Sequence, residues 1–187
     1  KNRIVPYGEL PQLPKLGIQC QLPETFENLQ WFGRGPHENY PDRKESADVG
    51  LWHSTVEEQF VPYPKPQETG NKEDVRKLWL TNDSGQGIQI VSDSVFAMTV
   101  LPFTAQEITA ADHPTDLEPT DKTVLCLDYR QQGLGNSSCG PVCLDKYLLI
   151  PAQKQQYAGQ KKIEDFKAAA FLPDTVEFGF TISACEK

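Results

Sequence analysis

From Val176 to Ser183 apolar and polar side chains alternate, with Phe178, Phe180 and Ile182 on one side and Glu177, Gly179, Thr181 and Ser183 on the other. A period of two belongs to an extended strand with one buried face. The same period sets Leu125, Leu127 and Tyr129 on one face of the stretch from Val124 to Gln131. Lys77 to Thr81 and Gly87 to Ser92 flank Asn82-Asp83-Ser84-Gly85, a turn composition that predicts a hairpin. Further strands are expected at Leu16 to Leu22, Phe96 to Phe103 and Tyr147 to Ile150. Helical spacing is confined to Gly159 to Phe171, where Ile163, Phe166 and Ala170 share a face and Pro173 follows. One short helix near the C-terminus is therefore predicted.

Many short strands joined by Gly-, Pro- and Asn-rich loops point to a mainly β fold, an antiparallel β-sandwich rather than βαβ units. At 187 residues, 38% hydrophobic, the chain suits one domain over 1–187 with a single core. The stretches from Gly33 to Pro66 and from Asp112 to Thr120 are expected to be long loops, where ligand contacts concentrate. Lys1-Asn2-Arg3-Ile4 reads as the start of an excised piece, so its lack of a targeting signal leaves the compartment open.

The net charge of −8 and the absence of any Lys/Arg cluster longer than Lys161-Lys162 argue against a nucleic-acid partner. The longest apolar run, Ala168 to Leu172, falls far short of the about 20 residues a spanning helix needs. Cys20, Cys126, Cys139, Cys143 and Cys185 are odd in number and are read as reduced. Cys139 and Cys143 lack a second ligand pair, and His37, His53 and His113 are scattered, so no metal site is expected.

No catalytic apparatus is complete. Gly33-Arg34-Gly35-Pro36 lacks the βαβ setting of a dinucleotide loop and reads as a tight loop with positive φ. Glycoside chemistry needs two carboxylates about 5 to 9 Å apart. Glu57 and Glu58 would point to opposite faces of a strand; Glu38 and Asp42 share a loop, but Asp42 beside Arg43 is better read as half of a loop-fixing ion pair. Trp31 and Trp79, on predicted strands, are expected in the core, while Trp52, in a polar stretch, is open to sugar stacking.

The run Trp31-Phe32-Gly33-Arg34-Gly35-Pro36-His37-Glu38-Asn39-Tyr40-Pro41-Asp42-Arg43 strongly resembles the W-x-G-x-G-P-x-E-N-Y-x-D-R signature of the C-terminal small-chain domain of glycoside hydrolase family 2 β-galactosidases. Three more stretches agree in order. They are Leu13-Pro14-Lys15-Leu16-Gly17, Pro66-Gln67-Glu68-Thr69-Gly70-Asn71 and Gly135-Asn136-Ser137-Ser138-Cys139-Gly140-Pro141. The resemblance implies a galactose-mutarotase-like sandwich at the end of a longer retaining enzyme. That enzyme's catalytic glutamates and Mg and Na sites belong to a TIM barrel, and this chain would have no catalytic residue, cofactor or metal of its own. Trp31, Gly33, Gly35, Pro36, Glu38, Asn39, Tyr40, Asp42 and Arg43 would form the signature loop. Trp52, Gln67, Glu68, Asn71, Arg76 and Asn136 are candidates to face carbohydrate.

The chain departs from the family pattern at Lys72, usually Arg, and at Lys77, usually Trp, with a tryptophan displaced to Trp79. The segment from Gln155 to Leu172 interrupts a usually short link, and family domains begin well before Leu13, so initial strands are expected to be missing. Open sheet edges would then favour a dimer of the fragment. Arg43→Ala is expected to destabilise more than Lys72→Ala, with Lys72 taken as a surface lysine. The alternative is a stand-alone mutarotase-type aldose epimerase or carbohydrate-binding module, whose acid and base would be sought among His37, Glu38 and His113.

Overall fold

The computed structural model describes residues 1–6, 10–137, 139–151, 170–173 and 175–185. Among these residues the strands are β1 (Asn2–Ile4), β2 (Lys15–Pro23), β3 (Asn28–Gly35), β4 (Asp48–Thr55), β5 (Lys72–Thr81), β6 (Gly87–Leu101), β7 (Lys122–Gln131), β8 (Leu149–Pro151), β9 (Ala170–Leu172), β10 (Val176–Phe178) and β11 (Thr181–Cys185), with one α-helix among the described residues, α1 (Ala105–Ala110), between β6 and β7. Seven strands form an antiparallel sheet in the order β2-β7-β6-β5-β3-β4, with β11 also on β6. The predicted hairpin is β5–β6, in the register Leu78↔Ile90 and Leu80↔Ile88.

The long β6 is what makes this sheet a sandwich. Its first part, Gly87–Val91, lies between β5 and β11; past the irregular stretch at 92–95, its second part lies between β5 and β7. One cluster accordingly gathers Leu29 and Trp31 from β3, Leu78 and Leu80 from β5, Ile90 and Val100 from β6 and Leu125 and Leu127 from β7, with Ile18 of β2 and Trp52 of β4 against it. Six of the seven strands, all but β11, reach this one core, so the sheet curls around it. Two small sheets, β1–β10 antiparallel and β8–β9 parallel, pack Leu149, Leu172, Val176 and Phe178 onto Leu16, Ile18 and Tyr129.

Several expectations are corrected. The strand from Val176 to Ser183 is two strands: β10 ends before Gly179, β11 starts at Thr181, and Ile182 is 54% exposed at the flank of β6. Residues 159–169 of the predicted helix lie outside the described residues, and its last two, Ala170 and Phe171, belong to β9. The observed helix is α1, held by a Thr104/Glu107 capping box and burying Ile108 alone. The stretch from Gly33 to Pro66 contains β4, which carries Trp52, and Glu57 and Glu58 sit on a 3-10 turn. Tyr147 ends a 3-10 turn, so the strand expected there begins at Leu149. All five cysteines are free, and among the described residues no helix is long and apolar enough to cross a membrane.

Candidate functional site

Trp31 on β3 faces Trp52 on β4, on the core side of the sheet. Their indole N–H groups donate to backbone carbonyls, Trp31 to Arg34 at 2.9 Å and Trp52 to Gly33 at 3.2 Å. A Cβ on Gly35 would lie 2.7 Å from Trp52 Cδ1 and 2.9 Å from Trp31 Cζ2, so the second glycine of the signature is space for two rings. Neither Gly33 nor Gly35 has positive φ, contrary to the tight-loop expectation. Arg34, on the outward side, binds Asp74 at 2.5 Å and the carbonyls of Lys44 and Ala47. Lys44 reaches the same carboxylate at 3.2 Å. Asp74 has φ of 53°, rare for a residue with a Cβ. Burial alone would raise its pKa, but Arg34 and Lys44 outweigh that and hold it below the usual carboxylate range.

Beyond β3, Glu38 accepts from the Gly70 N–H at 2.7 Å, the Tyr40 hydroxyl at 3.2 Å and the Tyr63 hydroxyl. Burial, with Glu38 beside them, pushes Tyr63 up to about 12 and Tyr40 far above its ordinary value. Asn39 and Asn71 are wholly buried and reciprocal. The Asn39 N–H donates to Asn71 O at 2.9 Å, the Asn71 amide returns to Asn39 O at 2.8 Å, and Asn39 Oδ1 takes the Glu73 N–H. Asp42 accepts the N–H groups of Leu134 at 3.1 Å and Gly135 at 2.8 Å. Arg43 lies 3.7 Å from Asp42, as expected of that pair, and donates to Gly135 O and Asn136 Oδ1. Lys15 meets Glu68 at 3.5 Å, and Gln132 donates to Pro14 O.

All four sequence motifs are thus cross-linked. The signature loop grips the Gly70–Asn71 segment through Glu38 and Asn39, and the loop after Gly133 through Asp42 and Arg43; the first motif joins through Lys15. Glu38 and Asp42 serve separate networks and do not form a carboxylate pair. Gly135 has φ of +66°, and a Cβ there would lie 2.4 Å from the Cys143 backbone nitrogen. Gly135→Ala is expected to lower stability by about 2 kcal/mol through strain and clash, read as a shifted urea midpoint; an unchanged midpoint would deny the loop this fixed form.

Lys72 is 2% exposed, not a surface residue. Its ammonium sits 5.4 Å from the Trp31 ring centroid and donates to Gly70 O at 3.0 Å. Burial drives its pKa down to about 8, against the opposing pull of Glu38. Burial likewise raises Glu73 to about 7 and Asp128 to about 6.

The six residues considered for carbohydrate contact are not brought together. Trp52 packs on the core and Asn71 is enclosed. Gln67 and Glu68 line a cavity of about 280 Å³ beside α1. Arg76 lies over the Phe32 ring at 5.6 Å. Asn136 is exposed on the clamped loop. His37 contacts Ser46 at 3.0 Å, and His113 opens the 3-10 turn Pro114–Asp116. Among the described residues no three His, Cys, Asp or Glu side chains are grouped to hold a metal. Sequence reasoning missed Asp74 and Tyr63; the latter's Pro62-Tyr63-Pro64 setting was the available signal.

A curled antiparallel sheet whose loops at one end are braced by buried polar pairs defines the molecule as a β-sandwich. A sequence model of the beta galactosidase small chain matches residues 1–160. Similar proteins include the β-galactosidases of Priestia megaterium (39% identical over 72% of this chain and 13% of that protein), Arthrobacter sp. strain B7 (37%, over 74% and 14%) and Kluyveromyces lactis (34%, over 74% and 13%). The chain belongs to the β-galactosidase small-chain family. It spans about one-seventh of the length of these curated relatives.

Proposed function

We propose that this chain is the C-terminal accessory domain of a retaining β-galactosidase acting on terminal non-reducing β-D-galactose, and that the loop following Gly133 forms part of the carbohydrate-pocket wall. The observation that carries this reading is that the signature loop ties the other family motifs together, Glu38 and Asn39 holding Gly70–Asn71 and Asp42 and Arg43 clamping the loop after Gly133. The clamped loop presents Asn136 and Cys139 to solvent, with Val142 74% and Leu144 63% exposed. A fixed loop with uncovered apolar and polar tips suits a pocket assembled from two domains. The nucleophile, acid/base and any Mg or Na would belong to the barrel of the parent. On the outer face of the sheet Phe32, Val49 and Leu51 are 41 to 59% exposed, beside the edge strand β4. Other domains of the parent would pack there, and in the isolated chain the same face would support a dimer.

The isolated chain is expected to be inert, because the two carboxylates of its signature loop are both engaged in separate networks, Glu38 by the Gly70 N–H and two tyrosine hydroxyls and Asp42 by the Leu134 and Gly135 N–H groups. The test is hydrolysis of a chromogenic β-galactoside by the purified chain. Turnover that co-purifies with it and disappears in Glu38→Gln would overturn the accessory reading.

A further inference from the structure

The tryptophans exchange the roles expected of them. Trp52 packs into the core, whereas Trp79 is only partly covered and stands on the outer face of the sheet, opposite to Leu78 and Leu80. Register places Trp79 in a cross-strand row with Gln30 on one side and Gln89 on the other, and His53 beyond Gln30. Gln89 fixes the ring by accepting its indole N–H at 2.9 Å. Trp79, Gln30 and His53 of this row line an open groove of about 980 Å³, walled by Asn28, Glu58 and the Asn82–Gly85 turn.

We propose that this groove is a second carbohydrate site, taking a neutral oligosaccharide. An indole offers its face to the C–H side of a pyranose, while amides and carboxylates around it bond the hydroxyls. Those groups are already positioned. Glu58 is held by the Ser54 hydroxyl at 2.7 Å and the Thr55 N–H at 3.1 Å, and Asp83 accepts from Asn28 at 3.1 Å. Two carboxylates and a chain charge of −8 disfavour anionic ligands. Lys77 rests 4.5 Å from the Trp79 ring centroid, a contact weak enough at a surface for a sugar to displace. The groove lies at the Asn28 end of β3 and the signature loop beyond Gly35, a separation of about 23 Å along an eight-residue strand. The proposal therefore stands apart from the pocket-wall reading.

Calorimetric titration of the chain with β-1,4-galactotetraose, and separately with cellotetraose, tests it. Saturable binding at about 1 mM or tighter is expected, weakened about tenfold or more by Trp79→Ala, less by Trp79→Phe, and unaffected by the remote Asp112→Asn. Galactotetraose alone binding would tie the groove to galactosides; both binding would assign it to neutral glycans at large. Should Trp79→Ala fail to fold, the pair Gln30→Ala and His53→Ala replaces it with the same expected loss. No saturable binding of either sugar, or binding that these variants leave unchanged, overturns the proposal.

Discussion

Lys72→Ala is expected to unfold at a lower urea concentration than Arg43→Ala, the reverse of what the sequence alone suggests. Truncating a buried side chain of this length typically costs about 2–5 kcal/mol, and Gly70 O would also lose its donor inside the protein. Part of that loss is returned, because removing the ammonium removes a charge that burial disfavours. Lys72→Met keeps the stem beneath Trp31 and discards the charge, so it should lie within about 1 kcal/mol of the parent. The Arg43 side chain is 41% exposed, and its lost contacts to Gly135 and Asn136 can be replaced by water, which limits the cost to about 1 kcal/mol. A lower midpoint for Arg43→Ala than for Lys72→Ala would contradict this assignment of the buried contact.

Acidification from pH 7.5 to 5.5 is expected to stabilise the fold by about 2 kcal/mol, with Glu73 as the main source. Burial raises Glu73 from 4.5 to about 7 and Asp128 from 3.8 to about 6. Below the lower value of each pair both states hold the proton, and the stabilising contribution is fully present. As pH rises toward the folded value, the unfolded chain releases the proton while the native state retains it, and the contribution is lost. Asp74, held low, works in the opposite sense but at a more acidic pH. Denaturant melts across this range should therefore show stability falling as pH rises, with a flatter profile in Glu73→Gln. Stability that is level or rising over the same interval in the parent chain would contradict it.

The strands that alternate cleanly in sequence are those with one face in the core, and β7 and the β5–β6 hairpin emerge as expected. β4 escaped because both of its faces carry apolar groups: Val49 and Leu51 point outward while Trp52 packs inward, leaving no period to read. α1 buries a single residue, too few to mark a helical stripe. The signature loop was legible as a motif, but two of the three partners of Glu38 lie 25 and 32 positions away at Tyr63 and Gly70, a relation only folding creates. Lys72 misled for a related reason. A lysine beside Glu73 and Asp74 looks solvated, and only the approach of Trp31 and the Gly70 carbonyl encloses it.

The central claim is that the clamped loop after Gly133 serves a sugar pocket completed by another domain. It is tested most directly by steady-state kinetics of a chimera in which this chain replaces the matching segment of the Priestia megaterium β-galactosidase. The chimera should hydrolyse a β-galactoside, and Asp42→Ala within it, assayed below its melting temperature, should raise KM about tenfold or more with a smaller effect on kcat. An active chimera whose KM is the same with and without Asp42→Ala would contradict the claim.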